Sequence, residues 1–155
     1  MILDAIILEN FGAYGGRQEA ILTPEQGKPI ILFGGMNGGG KTTLLDALQL
    51  AFYGAKARLS NWGKLKYKDY LRESIHRGSD PGEGAGITLR FRRMIDGESR
   101  SFELQRYWRE GVKGIEETFQ KLLRKTELAT GLSIDPETFE PSLTGRDGTP
   151  PMLLN

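Results

Sequence analysis

The sequence predicts an α/β fold, and three adjoining stretches carry that prediction. "KPIILFG" at 28–34 is a continuous apolar run, the pattern of a strand buried on both faces of a sheet. "GGMNGGGKTT" at 34–43 follows it and holds five glycines, too little side chain to fill a core. "KTTLLDALQLAFYG" at 41–54 then sets Leu44, Leu48 and Phe52 at helical spacing as a core face. Leu45 and Ala51 lie beside them, and Gly54 is the stop.

The flanking elements read in order. "ILDAIILE" at 2–9 is apolar and β-rich, "NFGAYGG" turns, and "RQEAILT" makes a second strand, so the chain opens on a hairpin. "PEQG" is a further turn. "YKDYLRESIHRG" at 67–78 reads as a second helix closed by Gly78. "AGITLRFRRMIDGESRSFELQRYW" at 85–108 reads as a hairpin around Asp96-Gly97, a strong turn signal. Residues 115–126 are open: Ile115, Phe119, Leu122 and Leu123 fit a helix face, and a third strand fits nearly as well. The tail "TGRDGTPPMLLN" is turn-rich, and its closing apolar run reads as a chain cut short.

The 155 residues suit one domain, and 38% hydrophobic content is enough for a core. Lysine plus arginine (21) nearly balances aspartate plus glutamate (20), so a polyanionic partner would have to be met by local patches. The chain has no cysteine, which excludes disulfides and thiolate metal sites and fits a reducing cytosol. Asp4 and Glu9 sit where a signal peptide would be basic or apolar. No apolar run approaches the roughly 20 residues of a membrane helix. The expectation is a soluble cytoplasmic protein.

Residues 35–42, "GMNGGGKT", match G-x-x-x-x-G-K-[ST]. Glycines let consecutive backbone N–H groups converge into a nest for phosphate oxygens, and the following helix adds its positive end. In this pattern Lys41 reaches the β- and γ-phosphates, and the Thr42 hydroxyl ligates Mg²⁺. A GTPase would need N-K-x-D and usually D-x-x-G, which are absent. A small kinase tends to begin with its phosphate loop, whereas here a hairpin and some thirty residues precede it.

The remaining class is an ABC-type ATPase head. "IILENFGAY", then "FGGMNGGGKTTLLDALQLAFYG", then "SIHRGSDPGEGAGITLRF" resemble, in order and content, the N-terminal lobe of SMC-like ABC ATPases over about residues 1–110. Within that group "LFGGMNGGGKTTLLDALQLAFYG" and "YLRESIHRG" are most similar to the DndD ATPases of bacterial DNA phosphorothioation systems. The resemblance implies a phosphate-loop core over about 1–80 in a mixed sheet and an antiparallel β-subdomain over about 84–126.

It also implies the ligands and partners. ATP and Mg²⁺ would be held by Gly35, Asn37, Gly38, Gly39, Gly40, Lys41, Thr42 and Thr43. Asn37 would lie near the γ-phosphate, and Asn10 and Phe11 would end the first strand beside the nucleotide. Relatives often follow that Asn-Phe with a basic residue, where this chain has Gly12. The backbone of "KLKYK" (64–68) matches the region that wraps ribose and adenine. Walker B and the signature motif occur nowhere in the sequence; in the family they belong to a C-terminal lobe beyond a coiled coil. One lobe would therefore bind ATP without turning it over. Its partners would be the C-terminal lobe, a second head, other DNA-modification proteins and DNA.

Three weaker constellations remain. Lys56, Arg58, Lys64, Lys66 and Lys68, interleaved with Trp62 and Tyr67, read either as a DNA-backbone contact or as a solvated loop; Arg58 is also a candidate arginine finger. Arg90 and Arg92 share one strand face opposite Ile87, Leu89 and Phe91, which suits a nucleic-acid contact or any half-exposed strand. His76, the sole histidine, has no second histidine or cysteine for a metal and reads as structural, near a helix C-terminus.

Overall fold

The computed structural model describes residues 1–25, 27–60 and 65–124, with side chains through 121. Five strands form one sheet in the order β2-β1-β3-β4-β5. They are β1 (Ile2–Phe11), β2 (Tyr14–Ile21), β3 (Ala85–Ile95), β4 (Glu98–Gly111) and β5 (Gly114–Arg124). Two helices, α1 (Lys41–Tyr53) and α2 (Tyr67–Ser74), pack on the sheet.

Both expected hairpins form. β1 pairs antiparallel with β2, and β3 with β4 through Asp96-Gly97, both at positive φ. β1 also pairs with β3, so the opening hairpin and the later strands share one sheet. Alternation then places Ile6, Leu8, Ile87, Leu89, Phe91, Phe102, Leu104 and Trp108 in one core. Trp108 is wholly buried, meets Phe11 edge-on at 5.6 Å, and donates its indole N–H to Leu71 O at 2.8 Å.

Residues 115–124 are strand, not helix. The short turn after Gly111 sets Ile115, Glu117, Phe119 and Lys121 against Glu110, Trp108, Arg106 and Leu104. Arg106 forms a salt bridge with Glu117 and lies 4.5 Å over the Phe119 ring, while Tyr67 donates to Glu117 at 2.6 Å. Period-two pairing therefore overrides the helical spacing in this segment.

Four expectations are corrected. Residues 28–34 form no strand: Ile30 is 82% and Leu32 89% exposed. A strand buried on both faces needs hydrogen-bonded neighbours, and among the described residues none lies beside it. The described sheet is accordingly antiparallel at every pairing, not mixed. The fully buried face of α1 is Ala47, Leu50 and Ala51, whereas Leu44, Leu48 and Phe52 flank it half-buried and Leu45 is exposed. Two alanines let that side of the helix sit closest to the sheet. Finally, α2 stops at Ser74 because Ile75 turns extended and bridges to Phe11. The tail at 144–155 lies outside the described residues.

Arg90 and Arg92 are absorbed by the sheet. Arg90 donates to Glu103 at 2.8 Å and Glu19 at 3.4 Å, and Arg92 to Asp4 at 2.9 Å. Their structural reading holds. No helix among the described residues is long and apolar enough to cross a membrane.

Candidate nucleotide-binding site

Residues 34–39 cross an exposed surface, and Gly40, buried, leads into α1 at its N-terminus. A turn over Met36–Gly39 closes with Gly39 N–H to Met36 O at 3.0 Å, and Asn37 is exposed within it. Gly40 precedes the helix at φ 86°, and its carbonyl accepts the first helical bond, from Leu44 N at 2.9 Å. The N–H groups of Lys41, Thr42 and Thr43 are thus left free of helical partners at the positive end of a 13-residue helix.

Lys41 folds back over the loop. Its ammonium donates to Gly35 O at 2.6 Å and Met36 O at 2.8 Å. Around it the space is open: a Cβ added at Gly34 or Gly38 would meet nothing within 4 Å. Thr42 is exposed on the first turn. Helix N–H groups, an exposed cation and an open glycine surface fit a polyphosphate, with Thr42 as the side chain available to its metal. When bound, a divalent ion would neutralise phosphate charge. Lys41 would exchange two carbonyl partners for phosphate oxygens.

Three contacts that the sequence did not disclose hold this loop in place. Tyr14 donates its hydroxyl to Gly40 O at 3.1 Å, and a Cβ on Gly40 would stand 2.9 Å from that ring. Gly12 lies so close to α1 that an added Cβ would be 2.5 Å from Thr43 Cγ2, a fit that leaves no room for a basic side chain. Gly12 is itself clasped by Ser74 O at 2.6 Å and by His76, whose Nδ1–H donates to Gly12 O at 2.8 Å. His76 is therefore structural, and it ties α2 to the hairpin that supports the loop.

Asn10 and Phe11 serve the same scaffold. Asn10, at φ 47° in a β1 bulge, accepts from Gly16 N at 2.9 Å and so caps the hairpin turn. Phe11 is 1% exposed against Trp108, so its ring belongs to the core and not to a ligand surface.

The basic segment is fastened from inside. Asp46, one helical turn beyond Thr42, is buried and accepts Ser60 N at 2.9 Å, Ser60 Oγ at 2.5 Å and Tyr70 OH at 3.4 Å. Lys56 is exposed just before this latch, and Lys66 just after it; Lys68 reaches Ile115 O at 3.4 Å. Arg58 also precedes the latch, and Trp62 and Lys64 lie outside the described residues. Ser60→Ala removes one charge-assisted bond, about 1.5–3 kcal/mol, so local opening should rise roughly tenfold or more. Limited trypsin digestion followed by mass spectrometry should show faster cleavage after Lys56 and Arg58; unchanged rates would mean the latch does not hold the segment.

Two tyrosines lie in the first half of α2. Burial, then the Asp46 charge, raises the Tyr70 hydroxyl above its ordinary value; burial, then its bond to Glu117, raises Tyr67. Above pH 10 the folded chain therefore binds more protons than the unfolded chain, and stability must fall as pH rises. Below pH 10 that contribution is fully present. Tyrosinate absorbance should develop at higher pH in the folded chain than in urea, with a parallel loss of Tm; coincident titrations would contradict it.

A sequence profile of the AAA domain family matches residues 5–139, most of the chain. The chain belongs to that family. The matched span takes in the β1–β2 hairpin, the phosphate loop, both helices and the three later strands. This AAA domain is also similar to the C component of the nuclease SbcCD of Vibrio cholerae serotype O1, at 33% identity over 94 residues. The similarity covers 60% of this chain and 9% of that relative, so the chain spans a small part of the curated protein it matches. Both likenesses agree with an SMC-like ABC ATPase head.

Proposed function

We propose that this chain binds Mg-ATP as the N-terminal lobe of an SMC-like ATPase whose complete form couples head pairing to work on DNA. The observation that carries the reading is the open N-terminus of α1 behind "GMNGGGKT", with the Lys41 ammonium held over the loop. Lys41 holds the β/γ-phosphates, Thr42 the metal, and Gly38, Gly39 and Gly40 supply backbone donors. Gly35, Asn37 and Thr43 complete the wall. Asn10 and Phe11 contribute by supporting the loop. The phosphate-loop core (about 1–80) and β-subdomain (about 84–126) form one half of the head. Carboxylates and a signature segment from a C-terminal lobe complete it, so this lobe binds without turnover.

Two kinds of DNA work fit. The wording of the phosphate loop and of "YLRESIHRG" favours DNA phosphorothioation, with other modification proteins as partners. The similarity to a nuclease component favours DNA repair at least as well. A neighbouring gene for a sulfurtransferase-like or a nuclease-like protein would separate them.

The first test is a thermal shift with Mg-ATP. At 100 times its Kd a ligand adds about 2.7 kcal/mol to stability. No shift would leave an interaction module and sink the proposal. Sustained hydrolysis by this chain alone would retain nucleotide binding but overturn the split head.

A further inference from the structure

Most arginines on the later strands are matched to acids. Arg90, Arg92, Arg106 and Arg109 pair with Glu103, Asp4, Glu117 and Glu116. Near the far end of the β3–β4 hairpin, by contrast, Arg93 and Arg100 are direct cross-strand partners. Like charges set opposite each other destabilise an antiparallel pair. Their parity is that of Phe91 and Phe102, which stack at 5.3 Å two residues away. Lys121 shares this face: it lies 5.7 Å over the Phe102 ring.

The surroundings of the Arg93–Arg100 pair do not cancel its charge. The acid beside Arg100 is Glu98, at 3.7 Å and 76% exposed, a pairing worth little. Among the described residues Arg93 has no carboxylate partner. Burial, then the charge of Arg93, lowers the Lys121 ammonium below its usual range, an independent sign that these cations feel one another. The repulsion is a standing cost that a bound anion would relieve.

We propose that Arg93, Arg100 and Lys121 form a phosphate-binding corner for the backbone of double-stranded DNA. Guanidinium groups grip phosphate oxygens in pairs, and such contacts carry sequence-independent affinity. The cationic corner stands on the sheet geometry alone; DNA as its polyanion rests on the reading of an ATPase that works on DNA. The site is separate from the Lys56–Lys68 segment and from the phosphate loop in sequence.

The test is duplex binding by this chain across a salt series without nucleotide, comparing wild type with Arg93→Gln/Arg100→Gln. Losing two phosphate contacts should flatten the slope of log K against log salt by about 1.8 and weaken binding roughly 60-fold at 0.1 M salt. Arg17→Gln/Arg109→Gln, which removes equal charge from exposed pairs, should leave the slope unchanged. The corner variant should melt at or above the wild-type Tm, which separates lost contact from lost fold. An unchanged slope, no duplex binding by wild type, or preference for anionic vesicles over duplex would overturn the proposal. Mg-ATP shifts on the same proteins report separately on nucleotide binding, so either reading can fail while the other stands.

Discussion

Trp108→Ala should remove about 3–5 kcal/mol of stability, the range for deleting a buried aromatic. Trp108 is wholly buried on β4, packs edge-on against Phe11 of β1, and joins α2 through its bond to Leu71 O. Three elements therefore lose contact at one stroke. Domains of this size hold only about 5–15 kcal/mol in total, so a marked fall in Tm is expected. The conservative Trp108→Phe keeps most of the packing and loses the N–H. Leu71 O would still accept Ser74 Oγ at 2.7 Å, so this variant should cost only about 1 kcal/mol from the bond itself. Urea denaturation of the two variants checks the ranking; equal losses would place the energy in the hydrogen bond, not in the ring.

What the sequence disclosed was local. "GMNGGGKT" announced itself because its eight residues are consecutive and its glycines, lysine and threonine have distinct jobs. Asp96-Gly97 fixed its hairpin for the same reason: two adjacent residues at positive φ set the turn. The errors fell where the answer depended on distant chain. Residues 28–34 are apolar enough to be a buried strand, yet pairing is a property of neighbours, and the described strands pair elsewhere. Ile115 and Phe119 suited a helix and a strand about equally, and the choice was decided only by the turn at Gly111, which sets them against β4.

The supports of the site were hidden in the same way. Tyr14 and Gly40 are 26 positions apart, and Asp46 and Ser60 are 14 apart. Gly12 looked like a missing basic residue. The structure gives a steric reason for it, because the hairpin must press against Thr43. Asn10 and Phe11 show the converse: residues that a resemblance places beside a ligand here brace the loop that would bind it.

Lys41→Ala should weaken Mg-ATP binding by about 2–5 kcal/mol, roughly thirty- to several-thousand-fold, the range for truncating one partner of a hydrogen-bonded charge pair. The fold should survive. Lys41 is exposed, and without ligand its ammonium bonds, among the described residues, the carbonyls of Gly35 and Met36. Stability in the absence of nucleotide should therefore change by well under the loss in binding, and that contrast assigns the effect to the ligand. Thr42→Ala makes a different prediction from the same helix turn. With its hydroxyl on the metal, as proposed, binding should fall for Mg-ATP and change little for ATP in chelator. Calorimetric titration of both variants, with and without Mg²⁺, distinguishes a phosphate contact from a metal contact. If Lys41→Ala bound Mg-ATP as tightly as wild type, the loop would not be the nucleotide site, whatever its sequence.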